Sequence, residues 1–196
     1  MTKYEDYQAV RKTNPAFLLN HIGRAALERA KLEEKHKSYN IIIAQLMCSF
    51  TIEAVVNCLG LEKLENWKSI EKNLSVKQKI LLISEICKFT VDFGSNPFQK
   101  LSEIIEFRNN LVHAKPSTHS VKEISEEQLD ENDFPKVSSI PDLLSKWEQK
   151  IDVDTALQWR NEVDDMCKIL SDKTECMNPI VFGDIVDTWG QTKTDK

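Results

Sequence analysis

Glycine and proline are scarce in this chain, 5 and 6 among 196 residues, and long stretches contain neither. That scarcity argues against the turn-dense pattern of a β-sandwich or barrel and favours helices. Cysteine is not arranged in pairs: Cys48, Cys58, Cys87, Cys167 and Cys176 are odd in number and form no CxxC spacing. Neither a disulfide framework nor a zinc cluster is expected, and the thiols, mostly set among apolar residues, point to a reducing compartment. His21 and His36 lack a Cys or carboxylate set at metal-ligand spacing, so no metal and no cofactor is expected. An excess of positive charge is missing too: the formal net charge is −5, which offers no global field to attract nucleic acid. Met1 to Asn14 is polar and mixed in charge, without the apolar stretch of a secretory leader. A cytoplasmic location follows as an expectation.

The chain is 41% hydrophobic and 29% charged, which excludes wholesale disorder and predicts an all-α globular domain. A first helix is expected from Pro15 to about Lys35, with Phe17, Leu18, Ile22, Ala25, Ala26 and Leu32 as its apolar stripe. The second, Tyr39 to Leu59 with Gly60 as its stop, is apolar nearly all round. Its length raises a membrane span, but Gln45, Ser49, Glu53 and Asn57 lie within it, which favours a buried central helix and no membrane. Those four residues are spaced four apart and form one drifting polar seam, so polar groups must face it.

Shorter helices are expected over Leu64–Lys72 and from Val76 to about Phe89. The latter has Ser75 and Gln78 as a capping pair and Ile80, Leu81, Ile83, Ile86 and Cys87 as its core face. Asn96 and Pro97 resemble a cap and first-turn proline for a helix ending near Ala114, before Pro116. Residues 117–141 are polar and acidic, with one short helix possible from a Ser120 to Glu123 pair. Leu143–Gln149 reads as helical, and Asp152 or Asp154 would cap a last helix over Val153–Leu170 with Ala156, Leu157, Val163, Met166, Cys167 and Leu170 inward. Trp67, Trp147 and Trp159 read as packing residues. The organisation is a polar lead at 1–14, a helical domain at 15–172 carrying the acidic surface insertion at about 117–141, and a tail at 173–196 that is too apolar, with Phe182 and Trp189, to be only a linker.

The helix over Phe98–His113 carries the chemistry. Projected at about 100° per residue, Phe98, Leu101, Ile104, Ile105, Leu111 and Val112 share an apolar face with Arg108 in its middle, and Phe107 lies opposite, where it would suit a dimer contact. A guanidinium so placed needs a partner, and Glu53 is the one carboxylate within the apolar second helix. Arg108 and His113 point about 140° apart on an ideal helix, so they converge only through a distorted last turn, a cleft along the helix end, or a second copy.

The segment Glu106-Phe107-Arg108-Asn109-Asn110-Leu111-Val112-His113-Ala114 resembles the signature of HEPN domains, helical modules that carry an Arg-Asn-x-x-x-His motif. Phe50-Thr51-Ile52-Glu53-Ala54-Val55-Val56-Asn57 is similar to the buried helix of that family, and the likeness spans about Pro15 to Ser171. The resemblance implies a metal-independent endoribonuclease of toxin or phage-defence type, acting on RNA as a homodimer. A toxin would be paired with an antitoxin or nucleotidyltransferase partner. It assigns proton transfer to His113, phosphate holding to Arg108 and orientation to Asn109, with Glu53 fixing Arg108 and Asn57 as a further supporting residue. The alternatives are a HEPN-like scaffold that binds a nucleotide or protein partner without catalysis, which the acidic balance favours, and a structural helical dimer whose motif maintains the fold.

Overall fold

The computed structural model describes residues 14–115, 118, 120, 123–132, 136, 140 and 144–180. The described chain is all-α: α1 (Pro15–Leu32), α2 (Lys37–Lys63), α3 (Trp67–Ile70), α4 (Val76–Ile86), α5 (Leu101–Val112) and α6 (Val153–Thr174), with single 3-10 turns between some of them. Helix α2 runs through the centre and touches α1, α3, α4, α5 and α6. It is long and apolar enough to cross a bilayer by length and composition, and 56% of its most apolar window is buried inside the protein. The core lies around it: Ile52, Val55, Val56 and Leu59 meet Ile80 and Ile83 of α4, Leu101, Ile104 and Phe107 of α5, and Trp159, Val163, Met166 and Leu170 of α6.

Local capping sets the helix starts as expected. Asn14 Oδ1 accepts from the Phe17 N–H and Pro15 takes the first helical position. Ser75 and Gln78 complete a reciprocal capping box, and Asp152 Oδ1 accepts from the Thr155 N–H at 2.7 Å.

The helix ends depart from expectation. Gly60 does not stop α2, which continues to Lys63. A Cβ on Gly60 would stand 2.3 Å from the Trp67 ring, so this glycine exists to let a fully buried indole lie against the helix backbone. Helix α4 stops at Ile86, short of Phe89, because Lys88 enters the left-handed region at φ 57°. There the Phe89 N–H donates to Ser84 O and the Lys88 N–H to Glu85 O, the paired bonds of a Schellman ending. Lys88 is exposed and lacks the freedom of glycine there. Lys88→Gly is therefore expected to stabilise the fold by about 0.5 kcal/mol, the relief of αL strain outweighing the greater unfolded-state entropy, seen as a higher urea midpoint at unchanged slope.

Asn96 does not cap α5. Its side-chain oxygen accepts from the Gln99 side-chain amide instead, and a 3-10 turn, Phe98–Lys100, precedes the α-helix at Leu101. Of the stretch expected to be helical over Leu143–Gln149, the described residues show only a 3-10 turn, Glu148–Lys150, where Ser145 N and Oγ both donate to Glu148 Oε2. Residues 121 and 122 of the Ser120 to Glu123 pair, His119, and the tail residues Phe182 and Trp189 lie outside the described residues.

Several faces are rotated from the sequence reading. On α1, Leu18 and Leu32 are exposed and Ile22 largely so, while Ala16, Asn20, Gly23, Ala26, Leu27 and Ala30 are buried. Small residues let the backbones of α1 and α2 come close: a Cβ on Gly23 would lie 2.8 Å from Met47 Cβ and 2.6 Å from Arg160 Nη2. Closeness, not side-chain hydropathy, decides which face turns inward. Leu81 and Ile86 of α4 and Leu157 of α6 are likewise exposed.

At the junction of α1, α2 and α6 the nearly buried Arg160 donates to Asn20 Oδ1 and, at 3.1 Å, to Cys48 Sγ. Burial pushes the Cys48 thiol upward, against the opposing pull of the Arg160 guanidinium. It is a protonated packing group rather than a nucleophile. All five cysteines are free thiols.

Candidate functional site

The four residues of the polar seam of α2 differ in what they meet. Gln45 Nε2 donates to the Lys150 carbonyl at 2.6 Å, and Ser49 is buried without a hydrogen-bond partner among the described residues. Glu53 faces two cations: Arg108 Nη2 of α5 at 3.6 Å from Oε2, and Lys79 Nζ of α4 at 3.5 Å from Oε1. Asn57 Oδ1 accepts from the same Lys79 ammonium at 2.9 Å. The expected Arg108–Glu53 pairing is therefore present, and Asn57 contributes through Lys79.

The inward face expected for α4 from its apolar residues, Ile80, Leu81, Ile83, Ile86 and Cys87, leaves out Lys79. It is only 4% exposed and belongs to an inner face of Val76, Lys79, Ile80, Ile83 and Ser84. The signal was available: Lys79 lies three residues after Val76 and four before Ile83, the helical spacing that identified Arg108. An ammonium buried to this degree needs the partners that Glu53 and Asn57 supply.

Arg108 sits at the edge of the buried face rather than its middle, its side chain 23% exposed. Its Cζ lies 5.9 Å from the Phe50 ring centroid, and its Nε is buried without a hydrogen-bond partner among the described residues. The inner face of α5 is centred on Leu101, Ile104 and Phe107. Phe107 is buried, not a surface contact: its ring packs edge-on against Trp159 at 5.3 Å and Trp147 at 6.4 Å. Val112 is exposed, contrary to its expected inward position. The physical reason is that α5 is held from two sides, by α2 and by the α6 layer with Trp147, so its buried arc swings toward Phe107 and carries Arg108 to the rim.

Asn109 and His113 are exposed. His113 is the C-terminal cap of α5, where its backbone N–H donates to Asn109 O at 2.9 Å. Asn109 borders a cleft of about 290 Å³ that Ser75, Val76 and Lys77 at the start of α4 share with Leu101 and Ile105 of α5. Arg108 and His113 do not line that cleft. One chain thus joins Arg108 to Glu53 and, through it, to Lys79 and Asn57; it does not bring the His113 side chain into contact with them. No group of His, Cys, Asp and Glu suited to holding a metal ion occurs among the described residues.

Two cations share one carboxylate here, which leaves a local positive excess within an acidic chain. Removing that carboxylate exposes the balance. Glu53→Ala is expected to cost about 2 kcal/mol, at the low end for breaking a buried pair because Glu53 is partly solvated. The double variant Glu53→Ala/Lys79→Met should regain part of the loss, read from denaturant unfolding of both proteins.

Compared with known protein families, with curated proteins and with solved structures, this chain matches none.

Proposed function

We propose that this chain is a HEPN-type, metal-independent endoribonuclease that works as a homodimer, in the manner of a toxin or phage-defence effector in the cytoplasm. One observation carries the reading: Arg108 is positioned by a carboxylate that it shares with Lys79, and its side chain is partly exposed. A purely structural arginine in a helix interface would be expected to have its counter-charge to itself. A partly exposed arginine with incomplete charge compensation suits a phosphate.

In this mechanism the Arg108 guanidinium holds the scissile phosphodiester and stabilises charge gathering on its non-bridging oxygens. A histidine base removes the proton of the ribose 2′-hydroxyl, and the 2′-oxygen attacks phosphorus. The bond to the 5′-oxygen breaks and the leaving group takes a proton, giving a 2′,3′-cyclic phosphate and a free 5′-hydroxyl. His113 serves this proton transfer, and Asn109 orients the phosphate or the imidazole. Because His113 and Arg108 of one chain diverge, a two-fold arrangement that sets His113 of one copy beside Arg108 of the other is the economical way to complete the site.

The test is incubation of purified wild-type protein with mixed single-stranded RNAs in EDTA. Cleavage to cyclic-phosphate ends is the expected result. Inert wild-type protein would end the nuclease reading and favour a non-catalytic scaffold.

A further inference from the structure

Helices α1 and α2 pack antiparallel: Gly23 stands against Met47, and nearer their connection Ala26, Leu27 and Ala30 meet Ile41 and Ala44. The outer side of this pair is apolar and, among the described residues, open to water. On α1, Leu18 is 59% and Ile22 41% exposed, and on α2 Ile43 is 38% exposed. Met47 and Phe50, four and seven residues after Ile43, extend its stripe and are only half-buried. Apolar side chains open to water along two adjoining helices mark a surface that something covers. The chain itself brings an occupant to this place. The Pro179 carbonyl accepts from Asn14 Nδ2 at 2.5 Å, at the cap of α1, and Ile180 is buried in the cluster that contains Ala16. Residues 181–196 therefore start beside the first turn of α1, about one turn from Leu18.

We propose that residues 181–196 fold back in cis onto the outer face of α1 and α2, with Phe182, Val186 and Trp189 laid along Leu18, Ile22 and Ile43. The sequence of this segment suits the face. Phe182, Ile185, Val186 and Trp189 follow the spacing i, i+3, i+4, i+7, which gathers them on one side of a helix and leaves Asp184 and Asp187 on the other. Leu18, Ile22 and Ala25 repeat the i, i+4, i+7 steps on the exposed side of α1, so both stripes run about 10.5 Å at the helical rise. Residues 1–13 leave from the same corner, but they are polar, and Val10 is their single branched aliphatic residue. A second copy is not needed, because a segment tethered at Ile180 meets the face at the high effective concentration of a short linker. The inference is independent of any activity at Arg108.

The experiment is hydrogen exchange of the full chain, read by mass spectrometry on peptides covering residues 181–196 over a range of protein concentrations. Amides of residues 182–189 are expected to exchange at least tenfold more slowly than in a free peptide of the same sequence, equally at every concentration. Leu18→Asp on α1, Ile43→Asp on α2 and Phe182→Asp in the segment itself should each return them to the free rate, while the amides of α2 keep their protection. Leu18 and Ile43 are exposed and stand on different helices, so the failure of one variant to fold leaves the other to decide. Exchange at the free rate in the wild type, or protection that survives Leu18→Asp and Ile43→Asp, overturns the proposal. So does protection that rises with concentration, which would make a second copy the occupant.

Discussion

His113→Ala is expected to lower RNA cleavage by about 10²–10⁴-fold, the usual contribution of a positioned proton-transfer group, with no loss of stability. The side chain is exposed at a helix end and makes no hydrogen bond to a described residue, so its removal leaves the packing untouched. Arg108→Ala should remove about 10²–10³-fold, as loss of a donor aimed at developing charge does. Its effect on stability should be modest, because Glu53 keeps its pair with Lys79. Arg108→Lys is expected to behave like the alanine variant rather than the wild type, since an ammonium cannot reproduce the guanidinium fork. The decisive measurements are single-turnover cleavage rates beside thermal unfolding of each variant. Partial recovery of His113→Ala by added imidazole would identify proton transfer, which a structural role would not reproduce. Restoration of activity on mixing Arg108→Ala with His113→Ala protein would place the two groups on different subunits. Full activity in His113→Ala would sink the assignment of this residue.

Gly60→Ala is expected to destabilise the protein by about 3 kcal/mol or more, at or above the upper end for overpacking. The added methyl would lie 2.3 Å from two atoms of the Trp67 ring, and that indole is fully buried, so it has no solvent to retreat into. Either the α2–α3 connection opens or the indole leaves the core, and both expose apolar surface. For a chain of this size the loss corresponds to a fall of about 10 °C in the melting midpoint. A companion Trp67→Leu substitution should relieve the clash, so the double variant is expected to melt above Gly60→Ala alone. A melting midpoint near that of the wild type for Gly60→Ala would show that the helix and indole part more easily than their contact implies.

Features determined within one turn of chain were legible in the sequence. Ser75 with Gln78, Asp152 and Pro15 announce helix starts because a cap and its backbone partner are three residues apart. The Arg108–Glu53 pairing was also legible, since a charge on an apolar face must find a counter-charge on whichever buried helix offers one. What escaped was set by packing at a distance. Phe107 faces inward because Trp147 and Trp159 wait for it from residues far along the chain. The alanine and glycine face of α1 is inner because α2 approaches closely, which a hydropathy ranking of Leu18 above Gly23 cannot anticipate. Lys79 lies between these cases: its spacing marks it as inward, but a lone lysine is so often solvated that its burial becomes evident only with Glu53 and Asn57 placed opposite.

The central position of α2 sets a hazard during synthesis. The contact between Cys48 and Arg160 joins residues 112 apart in sequence, so α2 leaves the ribosome well before the helix that covers one of its flanks exists. At about 5–20 residues per second that interval is on the order of ten seconds, long against the sub-millisecond collapse of a short chain. Throughout it this long apolar helix lacks its α6 cover and is screened by α1, chiefly its small-residue face, and by α4 and α5 as they emerge. Nascent chains stalled before α6 should accordingly be the species that chaperones retain, and release should coincide with the emergence of Trp159 and Val163.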